Sequence, residues 1–206
     1  MPNAWILSSV FLGYLLGSLP FGYLVARAHG VDIFKTGSGN PGATNVRRVL
    51  GAKAGNTVFA LDAVKGAVAA AWPMLPLVHA PDTLMMGLVG VIAAVLGHSF
   101  SVFTKFKGGK GVATAAGGLV VLIPIACVIG AVVWALTFFI TRYVSLGSVL
   151  AAIVVPAASW MQGNPLALNL VATALGLFVI VRHRENIKRL LNGTESKFVK
   201  KASAQP

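Results

Sequence analysis

Six apolar stretches leave this chain few ways to fold: Ala4–Ala26, Gly55–Val78, Thr83–Phe103, Val112–Ile140, Ser145–Met161 and Leu166–Val181. A bilayer's hydrocarbon core takes roughly 20 apolar residues per helix, fewer where the membrane thins. Inside lipid every backbone N–H and C=O must be satisfied within the protein, so runs of this length read as helices. Charged residues make up 11% of the 206 residues and apolar ones 56%, whereas a soluble domain carries about 25% charge. The reading is an all-α integral membrane protein folded as a single membrane-embedded domain over 1–206.

The number of spans turns on the fourth stretch, 29 residues long with Pro124 inside it. It is either one long tilted helix or two short spans. Basic residues cluster at 27–53, 105–110, Arg142 and 182–201, while the linkers at 76–83 and 161–165 have none. Splitting at Pro124 puts all four clusters on one side and leaves only Lys65 in the membrane; keeping the stretch whole breaks the positive-inside rule. We therefore expect a seven-span helical bundle, N-terminus outside and C-terminus cytoplasmic, with glycine-rich cytoplasmic loops. Nothing basic precedes the first stretch and no cleavage site follows it, so it reads as a helix that stays. Residues 182–201 read as a cytoplasmic amphipathic basic segment and 202–206 as a disordered tail.

Seventeen Lys and Arg against five Asp and Glu give a net charge of +12. Without basic runs interleaved with aromatics, this charge fits inner-face loops and an anionic substrate or lipid surface, and nucleic acid is discounted. The lone Cys127 allows no disulfide and no cysteine-based metal site.

Between the first two apolar stretches runs Thr36-Gly-Ser-Gly-Asn-Pro-Gly-Ala-Thr-Asn-Val-Arg-Arg48. Gly37, Gly39 and Gly42 let the backbone turn tightly and approach a ligand. Ser38, Asn40, Thr44 and Asn45 add short polar groups, and Arg47 and Arg48 add forked donors. Bare N–H groups, hydroxyls and arginines together suit a phosphate monoester. A topology-only loop has no need of such density of glycine. The pattern is neither a Rossmann fingerprint, since the preceding run is too long and Pro41 interrupts it, nor a Walker loop, since Ala43 stands where the lysine belongs.

A second anion site is expected at Lys105-Phe-Lys-Gly-Gly-Lys-Gly-Val-Ala-Thr114, where Gly108, Gly109 and Gly111 flank Lys110 just before a helix. A membrane anchor accounts for Lys105 and Lys107 but not for the glycines. In the third segment, Arg182-His-Arg-Glu-Asn-Ile-Lys-Arg189 onward, His183 and Asn186 share one helical face. Anionic-lipid anchoring accounts for Arg184, Lys188, Arg189 and Lys197 there. Asp62 and Lys65 form an intramembrane i, i+3 pair, read as structural support for loop 36–48. His98 and Ser99 can reach the site, His98 more as a structural histidine. There is no carboxylate pair, metal-ligand spacing or Ser-His-Asp arrangement, so a hydrolase or metalloenzyme is not expected.

The three cytoplasmic segments, Gly37–Asn45, Lys107–Thr114 and Arg182–Arg189, resemble the signature motifs of the bacterial acyl-phosphate:glycerol-3-phosphate acyltransferases, the PlsY type. Leu61–Gly66 also resembles that family's second span. The resemblance implies transfer of a fatty acyl group from acyl phosphate to the 1-hydroxyl of sn-glycerol 3-phosphate, giving lysophosphatidic acid and inorganic phosphate. That is the first step of bacterial phospholipid biosynthesis. It implies no cofactor and no metal, a multi-pass protein of the bacterial inner membrane with a cytoplasmic active site, and the bilayer as its setting. It also implies a functional link to an acyl-phosphate-producing enzyme and a downstream 2-acyltransferase.

By motif matching, Ser38, Arg48, His183 and Asn186 go to glycerol 3-phosphate, and Gly39, Asn40, Gly42, Thr44 and Asn45 to the acyl-phosphate head. Gly108 and Gly109 join the substrate-binding set. Lys110, or else Lys107, would neutralise charge between the two phosphates. The proton acceptor is either His183 or the leaving phosphate, and we favour the phosphate. A carrier for a phosphorylated metabolite is the rival reading; it needs a water path that the apolar outer linkers do not offer.

Overall fold

A computed structural model describes residues 2–198; the expected disordered tail at 202–206 and the end of the basic segment lie outside the described residues. Ten α-helices and no strand occur among the described residues. They are α1 (Pro2–Ser18), α2 (Phe21–Ala28), α3 (Ala43–Leu50), α4 (Ala52–Ala71) and α5 (Thr83–Ser99). The remainder are α6 (Val112–Leu122), α7 (Pro124–Thr141), α8 (Val144–Met161), α9 (Leu166–Arg182) and α10 (Arg184–Leu191).

Helices pack mainly in three pairs, α1 on α5, α4 on α6 and α7 on α8. Lipid gives no hydrophobic drive between helices, so close approach of small residues does the joining. A Cβ on Gly17 of α1 would overlap the backbone of Ala94 on α5, and one on Gly117 of α6 would overlap Ala63 on α4. Many larger apolar side chains on the outer helices point outward, while Leu88, Leu119, Leu168 and Leu175 form the core. On α7 only Ala126 and Gly130 are fully buried, while Ile125, Val132, Phe139 and Ile140 are exposed. A face of this kind is stable against acyl chains and not against water.

Four segments are long and apolar enough to cross a membrane: Asn3–Ala28, Thr83–Thr104, Pro124–Thr141 and Val144–Met161. The pair α9–α10, bent by 58°, makes a fifth. Helix α4 carries Asp62 and Lys65, and α6 is only 11 residues long, about 16 Å at 1.5 Å per residue.

Two breaks shape the site. Pro20 interrupts the first span between α1 and α2, where the regular helical ladder stops and the Ser18 and Leu19 carbonyls take side-chain donors. Ser101 Oγ donates to Ser18 O at 2.5 Å and Lys65 Nζ to Leu19 O at 2.9 Å. The second break falls at Ile123, where α6 ends and Pro124 starts α7, the position at which the sequence reading splits the fourth stretch. Val112 at the start of α6 and Ser145 just beyond α7 line the same cavity. The chain thus turns back at Ile123, and the segments 36–48, 110–113 and 144–145 meet the segment 183–196 at one end of the bundle.

Candidate active site

That end of the bundle holds a cavity of about 530 Å³. Its first wall is the loop before α3. Gly37 and Gly39 adopt φ of 63° and 69°, which glycine takes without the steric cost of a side chain. Asn45, almost fully buried, then fixes the loop: its Oδ1 accepts from Ser38 N at 2.9 Å and its Nδ2 donates to Thr36 O at 2.9 Å. Asn40 Oδ1 accepts from Gly42 N at 2.9 Å. The Asn45 amide is thereby committed to the loop's own backbone, and Ser38, Thr44 and Arg48 line the cavity with side chains that have no hydrogen-bond partner among the described residues.

The second wall carries Lys110, whose Nζ donates to Asn186 Oδ1. Burial pushes the Lys110 ammonium down to about 8; the Glu195 carboxylate resists this, while Arg189, Arg182 and Arg48 add to it. The third wall is the α9–α10 corner. His183 lies 2.8 Å through Nδ1 from Val179 O. A carbonyl only accepts, so Nδ1 carries the proton and Nε2 keeps its lone pair. Burial, and then the charge of Lys110, push the imidazole down to about 4, so the ring is neutral at physiological pH.

Glu195 closes the corner. Its Oε1 accepts from Ser145 Oγ and Asn186 Nδ2, both at 2.7 Å, and its Oε2 from Arg189 Nε at 2.7 Å. These bonds outweigh burial and hold the carboxyl below its ordinary range. The segment that follows is tied down as well: Phe198 N donates to Arg142 O at 2.8 Å, and the Arg47 guanidinium lies 4.7 Å above the Phe198 ring.

Of the expected residues, Ser38, Asn40, Gly42, Thr44, Asn45, Arg48, Lys110, His183 and Asn186 line this cavity. Gly39, Lys107, Gly108 and Gly109 do not. The last three border a separate cavity of about 20 Å³ beside Asp62, Lys65 and His98, of which Asp62 and His98 also line the larger one. Gly108 and Gly109 lie flat on the end of α5, where their missing side chains permit backbone contact rather than ligand approach. Arg189, expected on a lipid surface, turns inward to Glu195.

Sequence reasoning did not place Phe59, Trp134, Ser145, Ser148 or Ser196 at the cavity. None belongs to a motif, and Ser145 is 50 positions from its partner Glu195. Phe59, Val112, Trp134 and Ser148 also line an apolar cavity of about 230 Å³ that runs on between α6, α7, α8 and α9 past Leu119, Cys127 and Ala172. A cationic chamber and an apolar groove thus meet at these four shared residues. The charges around it, Arg48, Lys110 and Arg189 against Glu195 and Asp62, favour an anion.

Residues 7–193 match the family model described as glycerol-3-phosphate acyltransferase. Proteins of that name from Allorhizobium ampelinum and Aquifex aeolicus are 43% and 44% identical, over 95% and 92% of this chain and 93% and 97% of theirs. The Bacillus subtilis protein of the same name is 44% identical over 91% of this chain and 95% of its own. The fold is similar to crystal structures of PlsY, an integral membrane glycerol 3-phosphate acyltransferase, in glycerol 3-phosphate and lysophosphatidic acid forms. These superpose with TM-scores of 0.87 and 0.85 at 42% identity, covering 94% of this chain in each case and 96% and 95% of theirs. This chain belongs to the glycerol-3-phosphate acyltransferase family.

Proposed function

We propose that the chain transfers a fatty acyl group from acyl phosphate to the 1-hydroxyl of glycerol 3-phosphate, releasing inorganic phosphate. The observation that carries this reading is the junction of a cationic chamber with an apolar groove. An acyl phosphate has one charged end and one hydrocarbon end, and glycerol 3-phosphate has only the charged part. Two phosphates fit a chamber rimmed by Arg48 and Lys110; one acyl chain fits the groove past Trp134 and Ser148.

The donor is already activated, because phosphate is a good leaving group, so positioning and charge neutralisation supply the catalysis. Arg48 and Ser38 hold the acceptor phosphate. Neutral His183, through Nε2, and Asn186 orient the glycerol hydroxyls. The 1-hydroxyl oxygen attacks the acyl carbon, the carbonyl reforms as the acyl–phosphate C–O bond breaks, and the hydroxyl proton passes to an oxygen of the departing phosphate. Lys110 stabilises the charge that gathers there, with the N-terminal turn of α3 at Thr44 holding the donor head.

We assign the protein seven passes through the inner membrane, with loops 36–48, 105–111 and 182–198 on the cytoplasmic face. The positive-inside rule supports this orientation. On this reading an enzyme that makes acyl phosphate supplies the donor, and a 2-acyltransferase consumes the product.

The test incubates purified protein with acyl phosphate and labelled glycerol 3-phosphate, without metal or coenzyme A. Lysophosphatidic acid should form with one phosphate released per acyl group transferred. Product formed only with acyl-coenzyme A, or activity abolished by a chelator, overturns the reading.

A further inference from the structure

Beside Lys110, on the wall of the same cavity, Asp62 and His98 form a buried polar pair to which the proposed reaction assigns no step. Asp62 and His98 are nearly inaccessible, with 4% and 10% of their side chains exposed, and His98 Nδ1 lies 3.5 Å from Asp62 Oδ1. Lys65 Nζ lies 2.8 Å from the same carboxylate oxygen and donates to Leu19 O, at the break between α1 and α2, at 2.9 Å. With Nδ1 on the carboxylate side, the other edge of the ring is turned toward Gly109. Nε2 there occupies the space that a Cβ on Gly109 would fill.

The backbone repeats the contact. Gly109 N donates to His98 O at 3.1 Å, and a Cβ on Gly108 would overlap that same carbonyl. From the opposite side Arg182 donates to Gly109 O at 2.9 Å while its guanidinium lies 5.3 Å above the Phe100 ring. The dipeptide before Lys110 is therefore clamped between the end of α5 and Arg182. A loop with two adjacent glycines has more conformational freedom than any other, so what fixes it must come from outside.

We propose that His98, held in one orientation by Asp62, is a positioning residue: its ring fills the space left by Gly109 and fixes the loop that aims Lys110 into the cavity. This rests on the proposed role of Lys110 at the reacting phosphate. It explains why Gly108 and Gly109 carry no side chains although they border no substrate cavity, and why a charged pair is buried on α4.

The test uses full-length purified protein in four forms: wild type, His98→Ala, Gly109→Ala and the double variant. Each is read by kcat and by the rate at which an amine-directed reagent labels Lys110, with Lys105 and Lys107 as internal references. The labelling requires no turnover, so it separates failure of this inference from failure of the acyltransferase reading. His98→Ala should lower kcat by roughly 10²-fold, the loss expected for a misplacement of about 1 Å, with a smaller change in KM. Lys110 should label faster while Lys105 and Lys107 do not change.

Gly109→Ala clashes with the ring and should also lower kcat. In the double variant the added methyl enters the space the imidazole leaves, so activity should exceed that of Gly109→Ala alone. Contacting residues couple in this way, whereas independent ones multiply their losses. Losses that multiply, or Lys110 labelling unchanged by His98→Ala, overturn the proposal. If His98→Ala does not fold, His98→Asn, which keeps a donor for Asp62, takes its place in the same four-way comparison.

Discussion

Asn186 Nδ2 donates to Glu195 Oε1 at 2.7 Å, and the other end of the same amide accepts from Lys110. Glu195, at the end of the segment that starts at Arg182, thereby fixes the rotamer of the asparagine that holds the central lysine. Glu195→Gln keeps the shape but replaces an acceptor-only group with one that donates. The bonds from Ser145, Asn186 and Arg189 cannot all survive, and hydrogen bonds to a charged group contribute about 1.5–3 kcal/mol each. We expect a lower unfolding temperature in detergent and a fall in kcat larger than the rise in KM. Unchanged melting and unchanged kcat would show that the corner is held by other contacts.

A second consequence concerns pH. Lys110 sits at about 8, well below an ordinary lysine, with burial as the main cause. Its charged form is the one that binds phosphate, so kcat/KM should fall as pH rises through about 8. The plot of kcat/KM reads groups of the free enzyme. Arg does not deprotonate in this range, so Lys110→Arg should flatten the alkaline limb even where it lowers the rate. Because the Glu195 charge raises the Lys110 pKa, Glu195→Gln should move that limb to lower pH. An alkaline limb that persists in Lys110→Arg would assign it elsewhere.

How much of this was legible in the sequence depended on distance along the chain. The helix break at Pro124 was readable, because proline favours the first turn of a helix and the charge pattern argued for a split there, although Pro156 sits inside α8 and shows that proline alone does not mark a break. Loop 36–48 was readable because glycines and small amides crowd into one local stretch. Motif membership gave no way to tell ligand from scaffold. Lys110 and Gly109 are adjacent, yet one faces the cavity and the other faces His98. Asn45 looks like a ligand by type, but both ends of its amide bind the loop backbone. Glu195 and Ser145 meet only after α8, α9 and α10 have folded, and no local pattern marks either one. The groove was invisible for a related reason: Ala172 and Gly130 are unremarkable as apolar residues until helices bring them together.

Arg48 reaches the cavity rim and forms no ion pair among the described residues. On the proposed reading its partner is the acceptor phosphate. Arg48→Ala should raise KM for glycerol 3-phosphate by roughly 10- to 100-fold, with a smaller effect on KM for acyl phosphate. Lysine should restore only part, since it lacks the bidentate fork. An unchanged KM in the folded variant would place the phosphate elsewhere.

Orientation in the membrane can be read by labelling single cysteines in a Cys127→Ser background. Positions in loops 36–48 and 105–111, and position 142, should label only after the inner membrane is made permeable. Position 142 decides between seven spans and six, because an uninterrupted fourth span delivers it to the outside. Labelling there in intact cells would remove the seven-pass assignment.

His183 separates two ways of handling the proton. With Nδ1–H bonded to Val179 and the ring pushed down to about 4, the imidazole is neutral across the working range and presents one acceptor nitrogen to the substrate. A general base matched to neutral pH would need a pKa nearer 7; at about 4 the ring is a weak base and serves better as a hydrogen-bond acceptor that aims the hydroxyl. The leaving phosphate arrives beside the same hydroxyl with oxygens free to take the proton. His183→Gln should therefore keep measurable activity, and an acidic limb near pH 6 should persist, since a phosphate monoester itself titrates there, at about 6. Loss of activity by roughly 10²–10⁴-fold in kcat, together with disappearance of the acidic limb in a folded variant, would make His183 the base instead.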